Sequence, residues 1–255
     1  MSTPRSNPKH KALFTLPPTR KSRAVTVALQ PMPEPKNATG DEEIDTIIWL
    51  RDVISTGQPD FIETALITAS KIATPIKEIE QRIMRRVAEE NPGNNLACLP
   101  VIGFTDLKAL AERVTRKQRL LADGKARFGD NIWETTPAET LCAEALGGAA
   151  YEPNGFIEDG ARCKFRETPE TNPTTLSECL HEIRFWDTLY DLRNAIDSYF
   201  DYPQVVWARK DFLFDLLAEI RPRSRKEASS VLDYLIKEER MDRSGVNDIL
   251  RNLVR

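Results

Sequence analysis

The longest helix that the sequence predicts lies in residues 175–202, TLSECLHEIRFWDTLYDLRNAIDSYFDY. Thr175 and Glu178 form the S/T-x-x-E pattern of a capping box, which predicts a helix start. Apolar side chains recur at helical spacing as far as residue 200, and Pro203 follows. They cover more than one face, so this helix is expected either to be surrounded by neighbouring helices or to contact a partner or a second copy. The residues predicted to make such a contact are Trp186, Tyr190, Tyr199 and Phe200.

Further helices are predicted on both sides of this one. Thr136-x-x-Glu139 and Ser224-x-x-Glu227 are two further capping boxes, and each precedes an apolar pattern of helical period. A helix that begins near Thr105 is predicted to end at Asp123-Gly124. The sequence therefore predicts a mostly α fold, a multi-helix globular protein.

One segment favours β structure. Residues 149–173 lack a helical period, and Asp159-Gly160 divides two short apolar stretches in GFIEDGARCKF (155–165). An Asp-Gly pair in that position is typical of a two-residue hairpin turn. We therefore expect one small β-hairpin there.

The chain divides into four regions by composition. Residues 1–40 form a Pro-rich basic arm, which is predicted to be disordered, with AVTVAL (24–29) as its one β-prone stretch. Residues 41–125 and 174–255 are predicted to be helical regions. Residues 126–173 are expected to form a linker with a short helix and the hairpin.

The charge is distributed unevenly along the chain. The net charge is −3, yet residues 1–23 carry six basic side chains and no acidic one. A second basic cluster lies between two predicted helices. The two groups suggest contact with DNA or RNA through Arg20, Lys21, Arg23, Arg221, Arg223, Arg225 and Lys226. For the second cluster, however, the favoured interpretation is a helix junction with charges that face water. For the N-terminal arm, the alternative is a solubilising tail, or one that docks on the protein's own acidic residues.

Signatures of common enzymes are missing from the sequence. It contains no Walker loop, no GxGxxG, no GxSxG and no HExxH. The four cysteines are widely spaced and the only histidines are His10 and His181, so neither a metal site nor a cofactor is predicted. Cys179 and His181 point about 200° apart on a helix, which argues against a catalytic pair.

The function predicted from these observations is that of a non-enzymatic regulator that binds another protein, as an inhibitor, adaptor or assembly factor. A bacterial plasmid or phage transfer or replication machine would be a fitting context. The first alternative is a DNA- or RNA-binding regulator, and the second is an enzyme whose carboxylates are assembled by the fold. No apolar run reaches the roughly 18 residues of a membrane span, so membrane insertion is not expected and a cytoplasmic location is predicted.

Overall fold

The mostly α fold is confirmed. The computed structural model of the protein describes residues 6–20, 31–94, 96–147, 151–152, 155–156 and 158–254. Its helices are α1 (Pro8–Leu13), α2 (Glu42–Ser55), α3 (Pro59–Ala69), α4 (Ile76–Glu90), α5 (Leu107–Phe128), α6 (Pro137–Leu146), α7 (Glu158–Arg166), α8 (Leu176–Ile196), α9 (Gln204–Glu219), α10 (Arg225–Lys237) and α11 (Val246–Leu253). Strands β1 (Tyr151–Glu152) and β2 (Gly155–Phe156) pair antiparallel.

The chain forms two compact units, each with its own hydrophobic core. The large unit combines the described residues of Met1–Arg20 with those of Asp123–Arg255, and the small unit contains those of Lys21–Ala122. In the small unit, α2 supplies the fully buried Ile47, Leu50 and Ile54, and α4 supplies Ile79. Asp41 starts α2, because its carboxylate accepts hydrogen bonds from the first backbone N–H groups of that helix.

Helix α8 is the centre of the large unit. It packs against α1, α9 and α10, and Leu176, Cys179 and Trp186 on it are completely buried. Neighbouring helices thus cover several of its faces, which explains its wide apolar surface. The helix ends at Ile196, four residues before the predicted end at residue 200, so Tyr199 and Phe200 lie in the loop that follows.

The predicted capping boxes all start helices, but two of them differ in detail. At α6, Thr136 and Glu139 bind each other's backbone N–H groups, as the pattern predicts. At α8 and α10, the hydroxyls of Thr175 and Ser224 accept the expected hydrogen bonds. The carboxylates of Glu178 and Glu227 do not accept from the cap residue itself. Each accepts from the backbone N–H of the residue just before the cap and from one N–H of another element.

Two local predictions are wrong. Asp159-Gly160 lies in helix α7 and not in a hairpin turn, because a helix places Ala161 and Phe165 on one face, where both are buried in the core. The only strands among the described residues precede this position. Helix α5 does not end at Asp123-Gly124 but continues to Phe128. A Cβ at Gly124 would lie 3.1 Å from Cδ1 of Ile132, so the absence of a side chain at Gly124 lets Ile132 pack closely against α5.

The prediction of a disordered arm is wrong for residues 6–20. They contain α1 and belong to the large unit, where the side chains of His10 and Phe14 are completely buried. Residues 31–40 are also described, and Nε1 of Trp49 donates a 2.8 Å hydrogen bond to the carbonyl of Pro33. The β-prone stretch 24–29 lies outside the described residues.

Candidate protein-binding surface

Five aromatic rings form a continuous row on the large unit. The ring centroids of Trp133 and Phe200 are 5.5 Å apart, those of Phe200 and Tyr190 5.8 Å, those of Tyr190 and Tyr202 4.7 Å, and those of Tyr202 and Trp207 5.2 Å. We call this row of five the ring surface. Such spacings fall within the range of favourable aromatic pairs, so the rings hold one another in place.

Both ends of the ring surface are open to solvent. Trp133 is 47% exposed and Trp207 is 45% exposed. Ile196 and Tyr199, which lie next to it in the chain, are 46% and 95% exposed. Large aromatic side chains that remain exposed in this way are enriched in the centres of protein interfaces. The ring surface therefore has the composition of a contact site for another protein.

The turn between α8 and α9 brings the rings together. The carboxylate of Asp197 accepts a hydrogen bond of 3.0 Å from the backbone N–H of Tyr199, which shapes the start of the turn. The hydroxyl of Tyr202 donates to the carbonyl of Trp186 at 2.9 Å and fixes the end of the turn against α8. Pro203 precedes α9, which then presents Trp207.

The charges near the ring surface are mainly negative. Burial, followed by the charges of Asp187 and Asp191, raises the pKa of Tyr202 above its usual value. Asp197 and Asp201 lie in the turn itself. Among the described residues, two cations contact the rings, and each is paired with a carboxylate. Cζ of Arg193 lies 5.6 Å from the ring centre of Phe200, and this arginine is bound to Glu139. Nζ of Lys210 lies 4.6 Å from the ring centre of Tyr202 and 2.6 Å from Oδ1 of Asp187. An acidic, aromatic surface suits a partner with apolar and basic side chains.

The predicted contact residues fall in different places. Tyr190 and Phe200 belong to the ring surface, and Tyr199 borders it. Trp186 does not, because it is completely buried and its Nε1 donates to Oε1 of Glu182 at 3.2 Å. Its prediction as a contact residue is therefore wrong, since the helix period cannot distinguish a covered face from an open one.

Three residues of the ring surface were missed by the sequence reasoning. They are Trp133, Tyr202 and Trp207. Their aromatic character is visible in the sequence, but their proximity depends on the turn at 197–203 and on the loop after α5. Only the high density of aromatic residues between 185 and 207 could have indicated them.

The residues predicted to bind nucleic acid do not form one described group. Arg20 is exposed and its backbone N–H donates to the carbonyl of Ala126 at 2.8 Å, while Lys21 and Arg23 lie outside the described residues. In the second cluster, Arg221, Arg225 and Lys226 are exposed. Arg223 binds Glu227 through its backbone N–H at 2.7 Å and through Nη2 at 3.2 Å, so its charge is compensated.

A buried polar network lies beneath α1. Nε2 of His10 lies 2.8 Å from Oε2 of Glu182, and Arg209 donates to the same carboxylate through Nε at 2.7 Å and Nη2 at 2.9 Å. These side chains are completely buried. Arg209 also donates through Nη1 to Oδ1 of Asn172 at 2.8 Å. The rings of Phe14, Phe165 and Phe212 surround its guanidinium.

The network remains charged inside the core. Burial by itself would raise the pKa of Glu182, but the charge of Arg209 and the hydrogen bonds from His10 and Arg209 outweigh it, so the pKa is lowered. Burial likewise opposes the charge of Arg209, and the carboxylate of Glu182 reverses that effect and raises its pKa. We interpret the network as a structural connection between α1, α8 and α9.

A second buried ion pair supports the loop that carries Trp133. Arg193 on α8 donates to Glu139 through Nη1 at 2.6 Å and to the carbonyl of Ile132 through Nε at 2.9 Å. Burial of Glu139 opposes its ionisation, but hydrogen bonds from Arg193 and Thr136, together with the charge of Arg193, lower its pKa. This arrangement fixes residues 132–139 against α8.

The cysteines differ in exposure. Cys142 and Cys179 are buried, Cys163 is exposed, and all four cysteines are free. Burial raises the pKa of Cys142 to about 12 and that of Cys179 well above its usual value. Thiolate chemistry at these two buried positions is therefore suppressed. In the described part of the chain, no three His, Cys, Asp or Glu side chains converge to form a metal site.

Neither a membrane-spanning helix, among the described residues, nor a similar known protein is found. None of its described helices combines the length and the apolar character that a membrane span requires. Comparison with protein-family models, curated proteins and solved structures finds no match to this chain. The geometry of the ring surface is therefore the basis on which a function can be inferred.

Proposed function

We propose that this protein is a non-enzymatic regulator, such as an adaptor, inhibitor or assembly factor, which binds another protein through the ring surface. The observation that carries the proposal is the row of five rings with a half-exposed tryptophan at each end. Aromatic anchors of this kind provide most of the binding energy in many protein interfaces.

The charges favour a protein over a nucleic acid at this surface. Asp197 and Asp201 in the turn would repel phosphates, and Lys210 is already bound by Asp187. A partner segment with apolar side chains and arginine or lysine would gain both ring contacts and opposite charge. A cytoplasmic location, and an action on plasmid or phage machinery, stay predictions from the sequence.

The proposal can be tested by photo-crosslinking in the cells that express the protein. A photoreactive phenylalanine analogue replaces Tyr199, which is 95% exposed beside the ring surface. The control replaces Ile236 on α10, which is 56% exposed and does not contribute to the ring surface. We expect a crosslinked protein of discrete mass at position 199 but not at 236, and this product should survive nuclease.

A second variant tests whether formation of the crosslinked protein depends on the ring surface. Trp207→Ala, combined with the photoreactive analogue at position 199, should reduce the crosslinking yield at least tenfold, because loss of an aromatic anchor weakens the binding free energy by about 2 kcal/mol or more. Circular dichroism verifies that the variant is folded. Equal crosslinking at both positions, or no effect of Trp207→Ala, would contradict the proposal. A product that disappears with nuclease would favour the nucleic-acid alternative instead.

A further inference from the structure

A cleft of about 780 Å³ in the large unit lies between the N-terminal segment and the end of α5 with the loop that follows it. One wall consists of α1 and the chain up to Arg20, and the other contains residues 127–137 with Phe185. A volume of this size is typical of small-molecule sites, which range from about 300 to 1,000 Å³. The cleft is distinct from the ring surface, although Trp133 and Glu134 are neighbours in the chain.

The lining of the cleft is mostly apolar. Leu13 and Leu16 come from the N-terminal wall, and Phe128 and Phe185 come from the opposite side. Leu13, Leu16 and Phe128 are only partly buried, so a ligand would still gain from contact with them. Pro8, Pro17, Pro18 and Pro137 add rigid apolar surface. Such a lining suits a hydrocarbon or aromatic body.

The charged residues in the cleft are predominantly basic. Lys11, Arg20 and Arg127 line it, against a single acidic residue, Glu134. Arg127 is bound to Asp123 at 2.9 Å and to the carbonyl of Pro17, so it serves mainly to hold the two walls together. Lys11 and Arg20 have exposed side chains on the N-terminal wall. These two cations are therefore available to an anionic group at the edge of an apolar cleft.

We propose that the cleft binds a small amphiphile with an apolar body and one anionic group, such as a carboxylate or a phosphate monoester. The apolar body lies against Leu13, Leu16, Phe128 and Phe185, and the anionic group lies between Lys11 and Arg20. One wall is the N-terminal segment, so binding also stabilises the docked form of that segment. The site is independent of the ring surface and of the protein partner proposed for it.

The chain offers a closely matched control for the role of charge. Lys9 and Lys11 are both exposed on α1, but Lys11 lines the cleft and Lys9 does not. Residues two positions apart point to different sides of a helix. Lys9→Ala and Lys11→Ala therefore remove the same charge from the same helix and differ in its position relative to the cleft. The ion pair of Lys9 with Glu170 lies at the surface, where its loss has little effect.

The test uses three probes that share a ten-carbon tail: decanoate, decanol and the decyltrimethylammonium ion. Each is titrated below its aggregation concentration into the full chain, and binding is measured by calorimetry. We expect decanoate to bind at least fivefold more tightly than decanol and the cation to bind most weakly. Lys11→Ala and Arg20→Ala should each weaken decanoate binding at least threefold, and Lys9→Ala should leave it unchanged. The binding should also weaken with added salt.

A third variant tests the apolar part of the site. Leu16→Asp places a carboxylate on the N-terminal wall and should weaken the binding of decanoate at least tenfold, with the folded state verified by urea unfolding. The proposal is overturned if decanoate does not bind, or if the cation binds equally well. Equal effects of Lys9→Ala and Lys11→Ala would also overturn it. None of these results bears on crosslinking at Tyr199, so the two proposals fail separately.

Discussion

His10 and Glu182 are 172 positions apart in the chain, yet Nε2 of His10 lies 2.8 Å from Oε2 of Glu182 and both side chains are completely buried. Glu178, one helical turn before Glu182, binds the backbone N–H of Asn7 and the hydroxyl of Ser6. The N-terminal segment is therefore an integral part of the large unit, held by two carboxylates on one face of α8.

The first prediction concerns His10. His10→Ala leaves the carboxylate of Glu182 with one hydrogen-bond donor fewer inside the core, which should reduce the free energy of unfolding by about 1–3 kcal/mol. Urea denaturation measures this change. Lys9→Ala is the control, because Lys9 is exposed and its ion pair with Glu170 lies at the surface. Equal stability of the two variants would contradict a structural role of His10.

The second prediction concerns the pair of Glu182 and Arg209. Glu182→Gln leaves the Arg209 guanidinium buried without an opposite charge, and should cost about 3–5 kcal/mol of stability. The matched change Glu167→Gln affects an exposed pair with Lys164 and should cost less than about 0.5 kcal/mol.

A double variant determines whether Glu182 and Arg209 act together. Arg209→Met combined with Glu182→Gln should destabilise the protein less than the sum of the two single changes, because each single change leaves an unpaired charge. Additive losses would show that the two groups are not energetically coupled. Urea unfolding at neutral pH provides all three values.

The third prediction is an acid-induced loss of stability. Burial opposes the ionisation of Glu139, Glu178, Glu182 and Glu227, but hydrogen bonds and, for Glu139 and Glu182, arginine charges lower their pKa values below the usual one. A carboxylate whose pKa is lower in the folded than in the unfolded protein stabilises the fold. This stabilisation is fully present above the pKa of the unfolded chain, about 4.3 for Glu, and is lost as the pH falls through the pKa of the folded protein. We therefore expect that the free energy of unfolding contributed by these four carboxylates changes little between pH 7 and 5 and declines steeply below pH 4.

Unfolding free energies at pH 7, 5, 4 and 3 measure that decline. Glu178→Gln should be less stable than the wild type at pH 7 and should lose less stability on acidification, because it no longer titrates. A parallel decline in the two proteins would show that Glu178 does not contribute to acid sensitivity.

The fourth prediction concerns thiol reactivity. Cys163 is exposed, whereas Cys142 and Cys179 are buried with raised pKa values. Iodoacetamide should modify Cys163 in the native protein and should modify Cys142 and Cys179 only after denaturation. Peptide mass spectrometry distinguishes the sites. Native labelling of Cys179 at the rate of Cys163 would contradict the burial of α8.

The fifth prediction compares a buried and an exposed aromatic side chain from the same segment. Trp186→Ala removes a completely buried ring and should cost about 3–5 kcal/mol, whereas Tyr199→Ala removes a ring that is 95% exposed and should change stability by less than about 0.5 kcal/mol. Thermal and urea unfolding measure both effects. A similar loss in the two variants would mean that Tyr199 is packed.

Much of the secondary structure could be predicted from local sequence patterns. Thr136, Thr175 and Ser224 start helices where their capping patterns indicate, because a cap depends on residues within one turn. Asp159-Gly160 and Asp123-Gly124 were misleading for the opposite reason. Burial of Phe165 and the close packing at Gly124 outweighed the local turn preference at these positions.

The candidate site was only partly visible in the sequence. Tyr190, Tyr199 and Phe200 could be identified from their aromatic character within one segment. Trp133 could not, since it lies 67 positions before Phe200 and comes from a separate loop, which Arg193 and Glu139 hold against α8. The buried role of His10 was hidden in the same way, because its partner lies in a helix far along the chain.

The sequence by itself determined the mostly α class, the main helix starts and the density of aromatic residues around α8, because these depend on neighbours within a few positions. Only the tertiary structure decided that Trp186 is core and Tyr199 is surface, that residues 6–20 pack against α8, and that five rings meet. Those outcomes depend on which distant elements cover a given face, and the period of one helix carries no information about its neighbours.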